Sequence, residues 1–373
     1  GYKNGSEAGA YFTVIANPSL KWETQISTDI ALEFGLFDRL TGTIEYFKKD
    51  SKDLLFDVSQ PASVGVTSII QNIGKVTNSG VEIELDYNAF KNKDWSVSVG
   101  ANATFVKNKI KNLPATMKEN GYISGSKKWL EGKSIYEFCL LQWHGVDPQT
   151  GDGLYVADVS KYNQGNIGTG DGNITQSQFD EYKKTVVTID GKELTNSYTY
   201  AKYDFSGSSI PDVYGGFNVR VSYKNFELAA VFSYQLGGQI LDTNYATMMS
   251  MTEFGYAQSP DLLKAWKQAG DITEVPRIDN SAAHTTNIGQ SYSTRWLTSS
   301  DYLNFRTVTI GYQLPKTWLS KVMLKSARLN LTAENLFMLK ARQGLNPMAN
   351  YSGVTYNEYM PSRNITLGLN VSF

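Results

Sequence analysis

The sequence predicts an all-β fold, an antiparallel transmembrane β-barrel, on the basis of three observations. Apolar and polar residues alternate with a period of two, short connections alternate with long ones, and aromatic residues cluster beside the short connections. A period of two places successive side chains on opposite faces of a strand. In a membrane barrel one face meets lipid and the other lines a polar lumen, so this pattern is typical of a barrel wall.

The alternation is clearest from Val81 to Asn88, where aliphatic residues and Tyr87 oppose Glu82, Glu84 and Asp86. A face this polar does not fit either side of a sandwich core. We predict about eleven strands, many near or above the roughly 9 to 11 residues that a tilted membrane-spanning strand needs. Their approximate bounds are 20–35, 40–50, 77–90, 95–107, 134–145, 153–158, 211–223, 226–238, 300–313, 325–338 and 362–373.

The connections between these strands separate into two classes by length. The short ones are 37–39, 91–94, 148–152, 224–225 and 316–324. The long ones are 51–76, 108–133, 159–210, 239–299 and 339–361. Outer-membrane barrels have short periplasmic turns and long extracellular loops, and this pattern therefore favours such a barrel over a soluble sandwich.

Aromatic residues flank the short connections. They are Phe34, Phe37, Tyr87, Phe90, Trp95, Tyr223, Phe226 and Trp318. Aromatic residues favour strands in general, but their clustering at the short-turn end indicates an interfacial girdle at headgroup depth.

Composition excludes several classes of protein. The 35 Lys and Arg against 36 Asp and Glu give a formal net charge of −1, so we predict no nucleic-acid partner. Cys139 is the single cysteine and the chain has two His, which excludes an internal disulfide and a cysteine metal cluster and leaves little for His-based catalysis. We predict no metal and no cofactor.

The chain begins at Gly1 without an initiator Met or a signal peptide, so we interpret it as a mature chain or a piece of a longer one. An odd strand count would leave an open edge in lipid, where backbone groups need partners. We therefore expect part of the barrel to precede Gly1.

Six segments resemble the C-terminal half of TonB-dependent outer-membrane transporters of the SusC/RagA type. They are Asn17–Thr24, Phe37–Phe47, Asn72–Leu85, Gly145–Gly153, Tyr302–Pro315 and Ala333–Phe337. The resemblance runs from Asn17 to Phe373 and rests on the order and spacing of these segments together.

This resemblance implies that residues 1–373 form the C-terminal portion, about eleven strands, of a plugged barrel of the 22-stranded class. It implies TonB-dependent import of a bulky nutrient across the outer membrane of a Gram-negative bacterium, with an oligosaccharide as the first choice and a peptide as the alternative. The implied partners are a SusD-like surface lipoprotein, the TonB complex acting through the missing N-terminal part, the remaining N-terminal half of the barrel, and outer-membrane lipid.

Two further function classes stay open at this point. A surface carbohydrate-binding β-sandwich would bury the apolar rows between two sheets. A glycoside hydrolase would need two carboxylates at working separation. The row Glu82, Glu84 and Asp86 suggests such a pair, but an ion-pair lattice with Arg220 and Arg328 is the stronger interpretation, and we predict no enzyme.

Substrate contacts are predicted in the long loops, because sugar rings stack on aromatic faces and their hydroxyls need fixed polar partners. The predicted substrate-binding residues are Trp129, Trp296, Tyr351, Tyr356, Asn357 and Tyr359. For each of them, packing against other loop residues or a partner protein is an equally good explanation.

Three shorter segments of the sequence carry further predictions. The last strand ends at the aromatic Phe373, which resembles the signal read by the barrel-assembly machinery. The segment 170–175 suggests a calcium loop, but Ile167, Thr169 and Gln178 occupy ligand positions, so a Gly/Asp turn is favoured. The segment 259–270 predicts a short helix.

Overall fold

The computed structural model describes residues 2–4, 7–9, 15–59, 66, 68–170, 172–251, 255, 257–319 and 324–373. Nine long strands form one sheet in which each strand pairs antiparallel with its neighbours in the chain. They are β1 (Thr24–Leu36), β2 (Leu40–Ser59), β3 (Ser68–Lys91), β4 (Trp95–Asn112), β5 (Val213–Tyr223), β6 (Phe226–Leu236), β7 (Tyr302–Gln313), β8 (Ser326–Lys340) and β9 (Asn364–Ser372).

The prediction of about eleven strands in the barrel wall is wrong for two spans. In place of 134–145 and 153–158 the structure has short strands that pair within the loops, among them Glu137–Leu141 and Gly153–Val156. Phe138, Cys139 and Leu140 are buried in succession, so this segment has no polar face to line a lumen.

Strands β2, β3 and β4 are longer than the alternation indicated. Strands β2 and β3 have 20 and 24 residues, and they occupy most of the predicted connection 51–76. Register shifts beside Asp53 interrupt the two-residue period there, which hides the continuation of both strands in the sequence. The turns 37–39, 92–94 and 224–225 agree with the prediction.

One face of the sheet is apolar and exposed. Residues directly opposite each other in an antiparallel pair point to the same face. The row Leu228, Ile310, Leu331 and Leu367 crosses four strands on that face. Their exposed fractions of 42, 48, 43 and 74% show that no second sheet covers them, which rules out the sandwich.

Aromatic residues on this face meet across strands at the short-turn end, as predicted. The ring centroids of Trp95 and Tyr223 lie 4.3 Å apart, and those of Phe226 and Tyr312 lie 4.5 Å apart. A second aromatic row, absent from the prediction, crosses the same face nearer the loops. It consists of Phe217, Phe232, Phe305 and Phe337.

The opposite face is polar, but the predicted ion-pair lattice is wrong in its partners. Arg328 and Arg220 both contact Glu227, at 2.7 and 3.5 Å. Among the described residues, neither arginine forms an ion pair with Glu82, Glu84 or Asp86, because the strand order places these carboxylates two strands from Arg220 and five strands from Arg328. Both arginines therefore pair with Glu227, and the acidic row stays separate.

The described residues of the long connections 113–212, 237–301 and 341–363 fold together at one end of the sheet. They hold the main apolar core, which includes Phe138, Leu241, Trp296 and Val354. Their short strands are Tyr122–Ser124, Lys127–Trp129, Glu137–Leu141, Trp143–Val146, Gly153–Val156, Val186–Ile189, Lys192–Thr195, Tyr203–Ser208, Gln239–Leu241 and Leu297–Ser299. Near the N-terminus, Tyr2–Asn4 pairs with Glu7–Gly9.

The helices are short, and none in the described part of the chain is long and apolar enough to cross a membrane. They are Gln176–Thr185, Thr243–Met248, Ala282–Ile288 and Lys316–Leu319. The helix predicted for 259–270 reduces to a 3-10 turn, Pro260–Lys264, capped by Ser259. The segment after Gly170 turns into the first helix, which Thr175 caps; Asp171 lies outside the described residues.

Candidate functional site

The β8–β9 loop, residues 341–363, is fixed to the loop core through its backbone. The Leu241 amide donates to the Gly353 carbonyl at 2.7 Å, and the Thr355 amide donates to the Leu241 carbonyl at 3.1 Å. Gly353 has a φ of +71°, and a Cβ there would lie 2.3 Å from Cβ of Ser209. Only glycine fits this close approach in the left-handed region.

An ion pair between Arg342 and Asp242 joins the same loop to the β6–β7 connection. The Asp242 side chain is 6% exposed and also accepts from the Thr355 hydroxyl and the Tyr245 amide. The Arg342 guanidinium lies 3.6 Å from the centroid of the Tyr245 ring. The loop is therefore held by a buried charge pair as well as by its backbone.

Three predicted substrate residues, Tyr356, Asn357 and Tyr359, project from this anchored loop. Tyr356 is 66% exposed and Tyr359 is 96% exposed. The Asn357 backbone N–H donates to Oδ1 of Asn244 at 3.0 Å, and the residue has a φ of +33°. The loop thus presents aromatic faces next to an amide on a backbone with fixed partners.

Tyr351, the fourth predicted residue in this loop, points toward the polar face of the sheet. Its ring is perpendicular to that of Tyr136, with centroids 5.2 Å apart. Burial raises the pKa of Tyr351, and nearby Tyr214 and Tyr136 raise it further. Tyr214 lies opposite Thr104, which lies opposite Glu82, so these tyrosines stand at the loop end of the lumen-facing acidic row. Sequence reasoning missed Tyr136 and Tyr214.

The acidic row lies on the polar face of β3. Glu82 is directly opposite Glu45, and Glu84 is directly opposite Thr43. Glu84, Asp86 and Glu33 line an open depression of about 550 Å³. The arrangement provides an open, negatively charged surface below the tyrosines.

Trp129, a further predicted residue, lies in a separate apolar pocket of about 440 Å³ where the β2–β4 strands meet the loops. Its ring contacts Phe56 and Tyr122, with centroid distances of 5.8 and 5.6 Å. Its indole nitrogen donates to the Ile135 carbonyl at 3.2 Å. Trp129 therefore presents apolar surface but has no free donor.

Trp296 is placed differently from the other predicted residues. It is 3% exposed in the loop core, its indole nitrogen donates to the Gln290 carbonyl at 3.0 Å, and its ring contacts Tyr245. A ligand could not reach this side chain without displacing the core.

Lys127, in the strand that carries Trp129, is a partly buried amine. Its ammonium donates to the Tyr136 carbonyl at 2.9 Å and lies over the Phe138 ring. Burial lowers the pKa of Lys127 to about 7, while Glu137 acts in the opposite direction. The ring and the carboxylate favour the charged amine, but they do not compensate for its desolvation.

The lowered pKa predicts that this part of the loops becomes more stable as the pH rises from about 7 toward 10.5, because the unfolded chain then binds more protons than the folded one. We expect protease cleavage within 113–136 of the full-length protein to slow between pH 7 and pH 9, by at most about tenfold per pH unit. K127M should remove this dependence. An unchanged pH profile in K127M would contradict the prediction.

Comparison with known proteins identifies the family. Residues 1–336 match the family model described as TonB dependent receptor-like, beta-barrel. The chain is 29% identical over 384 residues to TonB-dependent receptor P3 of Formosa agariphila, covering 98% of this chain and 36% of that protein. It is 24% identical over 372 residues to TonB-dependent receptor SusC of Bacteroides thetaiotaomicron, covering 96% of this chain and 32% of that protein.

Among solved structures, the chain is similar to the RagAB peptide importer in its "closed-closed" state, with a TM-score of 0.76 and 25% identity. The match covers 100% of this chain and 38% of that chain. The chain thus spans about a third of the length of the curated relatives it matches. The family match, the exposed apolar face and the folded loops agree: the chain belongs to the TonB-dependent receptor β-barrel family of the outer membrane, and its relatives include proteins of the SusC/RagA type.

Proposed function

We propose that the protein containing this chain imports a bulky nutrient across the outer membrane in a TonB-dependent manner. The observation that carries the proposal is a single sheet with a lipid-facing apolar face, a polar face, and long loops that fold together at one end. In this proposal residues 1–373 are the C-terminal part of a 22-stranded, plugged barrel.

The missing part of the barrel would pair with the two edges of the sheet. In the described part of the chain, β1 pairs only with β2 and β9 only with β8. Unpaired backbone groups are costly in lipid, so both edges need partner strands. We propose that the N-terminal half supplies them and also carries the contact with the TonB complex, and that a SusD-like lipoprotein covers the long loops.

We propose an oligosaccharide as the substrate. Tyr356, Asn357 and Tyr359 combine exposed rings with an exposed side-chain amide on a backbone fixed by a hydrogen bond to Asn244, and Tyr351 leads toward the polar face. Stacking faces beside hydrogen-bonding groups suit sugar rings. A peptide is the second candidate, because the pocket around Trp129 offers apolar surface to a side chain and the solved relative is a peptide importer.

Binding to the full-length protein tests the substrate class. The probes are size-fractionated neutral oligosaccharides and a tryptic digest of casein, each passed over immobilised wild type and Y356A/N357A. We expect oligosaccharide retention, reduced about tenfold in the double variant by the loss of one stacking and one amide contact. Y292A, which removes a tyrosine 42% exposed elsewhere in the loops, should behave as wild type. Retention of peptides alone would favour the second candidate.

The role of Phe373 in barrel assembly remains a prediction. Phe373 is 80% exposed beside the last strand, where a recognition factor could reach it. We expect F373A in the full-length protein to lower the amount inserted in the outer membrane, measured by surface labelling. V371A, on the same strand face, is the control. Equal surface levels of F373A and wild type would contradict this role.

A further inference from the structure

The apolar outer face ends at one level on strands β2, β3 and β4. Tyr46, Val81 and Phe105 stand directly opposite one another, and no further apolar residue occurs on that face before the register shifts beside Asp53 and Val76. The next residues of the same face are Lys48, Ser79 and Lys107, again directly opposite one another. The outer face therefore changes from apolar to polar across three strands in a single step, and two of the three residues in the new row are lysines.

Two more rows extend this basic surface. Asp50, Thr77 and Lys109 form the second row, and Lys52 and Lys75 form the third. We call Lys48, Lys52, Lys75, Lys107 and Lys109 the basic patch. All five point outward, because they continue the face of Tyr46, Val81 and Phe105 with a period of two.

Among the described residues, a single carboxylate lies within the basic patch. Asp50 accepts from the Thr77 hydroxyl at 2.6 Å and lies 3.5 Å from the Lys48 ammonium and 3.9 Å from that of Lys75. Lys52, Lys107 and Lys109 form no ion pair within the described ranges. Lys52 lies directly opposite Lys75, and like charges in that position destabilise a sheet. The patch therefore has positive charge that the described chain does not neutralise.

The position of the patch along the barrel indicates what neutralises it. From Trp95 in the short-turn girdle to Phe105 there are ten residues of β4, about 33 Å along the strand. At a tilt of about 40° this is about 25 Å along the membrane normal, the height of the apolar band of an outer-membrane barrel. Lys107 thus stands where the band ends on the loop side, at headgroup depth.

The patch is local. The outward faces of β5 and β6 carry no lysine or arginine; they hold Phe217, Phe232 and other apolar residues up to the loops. A general preference for lysine at the membrane boundary would extend around the wall. The confinement of the basic patch to β2–β4 favours recognition of a discrete anionic group.

We propose that the basic patch binds the phosphate groups of an anionic lipid in the outer leaflet of the outer membrane. Lysine ammonium groups bind phosphate as point charges and keep their flexible stems on neighbouring apolar surface. Tyr46, Val81 and Phe105 would contact the acyl chains of the same lipid, because they lie directly below the lysines. The patch would then hold the barrel beside a phosphate-bearing lipid.

The test uses the full-length protein in neutral detergent and three probes: lipid A with its phosphates, the same lipid A after phosphatase treatment, and inorganic phosphate. Each lysine near an anionic surface contributes about a fivefold factor in affinity, so K48Q/K107Q/K109Q should bind phosphorylated lipid A about 100-fold more weakly than wild type. K107Q alone should lose about fivefold. The affinity is expected to fall with added salt.

The control variant is K183Q/K184Q/K192Q, which removes three exposed lysines of the loops and should bind as wild type. Heat-dependent mobility in SDS gels reports whether each variant is a folded barrel. Equal binding by the triple variant, equal binding of dephosphorylated lipid A, or an equal loss in the control would overturn the proposal. Binding of inorganic phosphate as tight as that of phosphorylated lipid A would also overturn it, since the patch would then recognise a free anion.

Discussion

Replacing Leu331 with arginine is expected to destabilise the full-length barrel by about 2–4 kcal/mol, because the side chain would enter the lipid-facing band near its middle. Leu331 lies on β8 directly opposite Ile310 and Leu367, and all three are exposed on the apolar face. A guanidinium there would lose its hydration without gaining a partner. The measurement is reversible unfolding in urea of the protein folded into lipid vesicles.

The adjacent Thr332 provides the matched control. It points to the opposite, polar face, where its hydroxyl lies 3.1 Å from that of Thr309. T332R should lose about 1 kcal/mol for that hydrogen bond and little more, because its charge remains in a polar lumen. If L331R and T332R had equal effects, the assignment of the two faces would be wrong.

Removing Arg342 is expected to release the β8–β9 loop from the loop core. R342A would leave the Asp242 carboxylate buried without its cation, which costs about 3–5 kcal/mol for a pair of this kind. It would also remove the guanidinium from the face of Tyr245. We expect faster hydrogen exchange at the Leu241 and Thr355 amides, which hydrogen-bond across the junction.

An exposed ion pair in the same connection is the control for R342A. Lys264 and Asp261 lie 2.6 Å apart, and the Lys264 side chain is 73% exposed. Such pairs contribute little to stability in solvent, so K264A should leave exchange at Leu241 and Thr355 unchanged. Unchanged exchange in R342A would show that the backbone bonds through Gly353 hold the loop without the ion pair.

The sequence predicted the barrel wall well where each strand has one lipid-facing and one polar face. The segment around Val81 to Asn88 and the strand from Trp95 show the period of two directly, and the structure places both in the sheet. The alternation follows from local geometry alone, since successive side chains on a strand point to opposite sides. The short turns between the strands follow from the same pattern.

The prediction of wall strands was wrong for segments whose apolar side chains are buried in the loop core instead of facing lipid. The sequence pattern predicts that Phe138, Cys139 and Leu140 belong to a wall strand. In the structure they are buried among several loops, where both faces of a strand are apolar. The ion pairs of Arg220 and Arg328 with Glu227 depend on strand register across four strands. The spacing of these residues along the chain does not indicate that they pair.

The sequence by itself determined the two faces of the wall, the short-turn end and the loop aromatics Tyr356 and Tyr359, since each of these depends on periodicity or residue type within one segment. Only the tertiary structure decided that Trp296 belongs to the core, that Tyr136 and Tyr214 stand beside Tyr351, and that five lysines from three strands form one patch. The physical reason is that these groups meet through strand register and long-range loop packing, which bring together residues far apart in the chain.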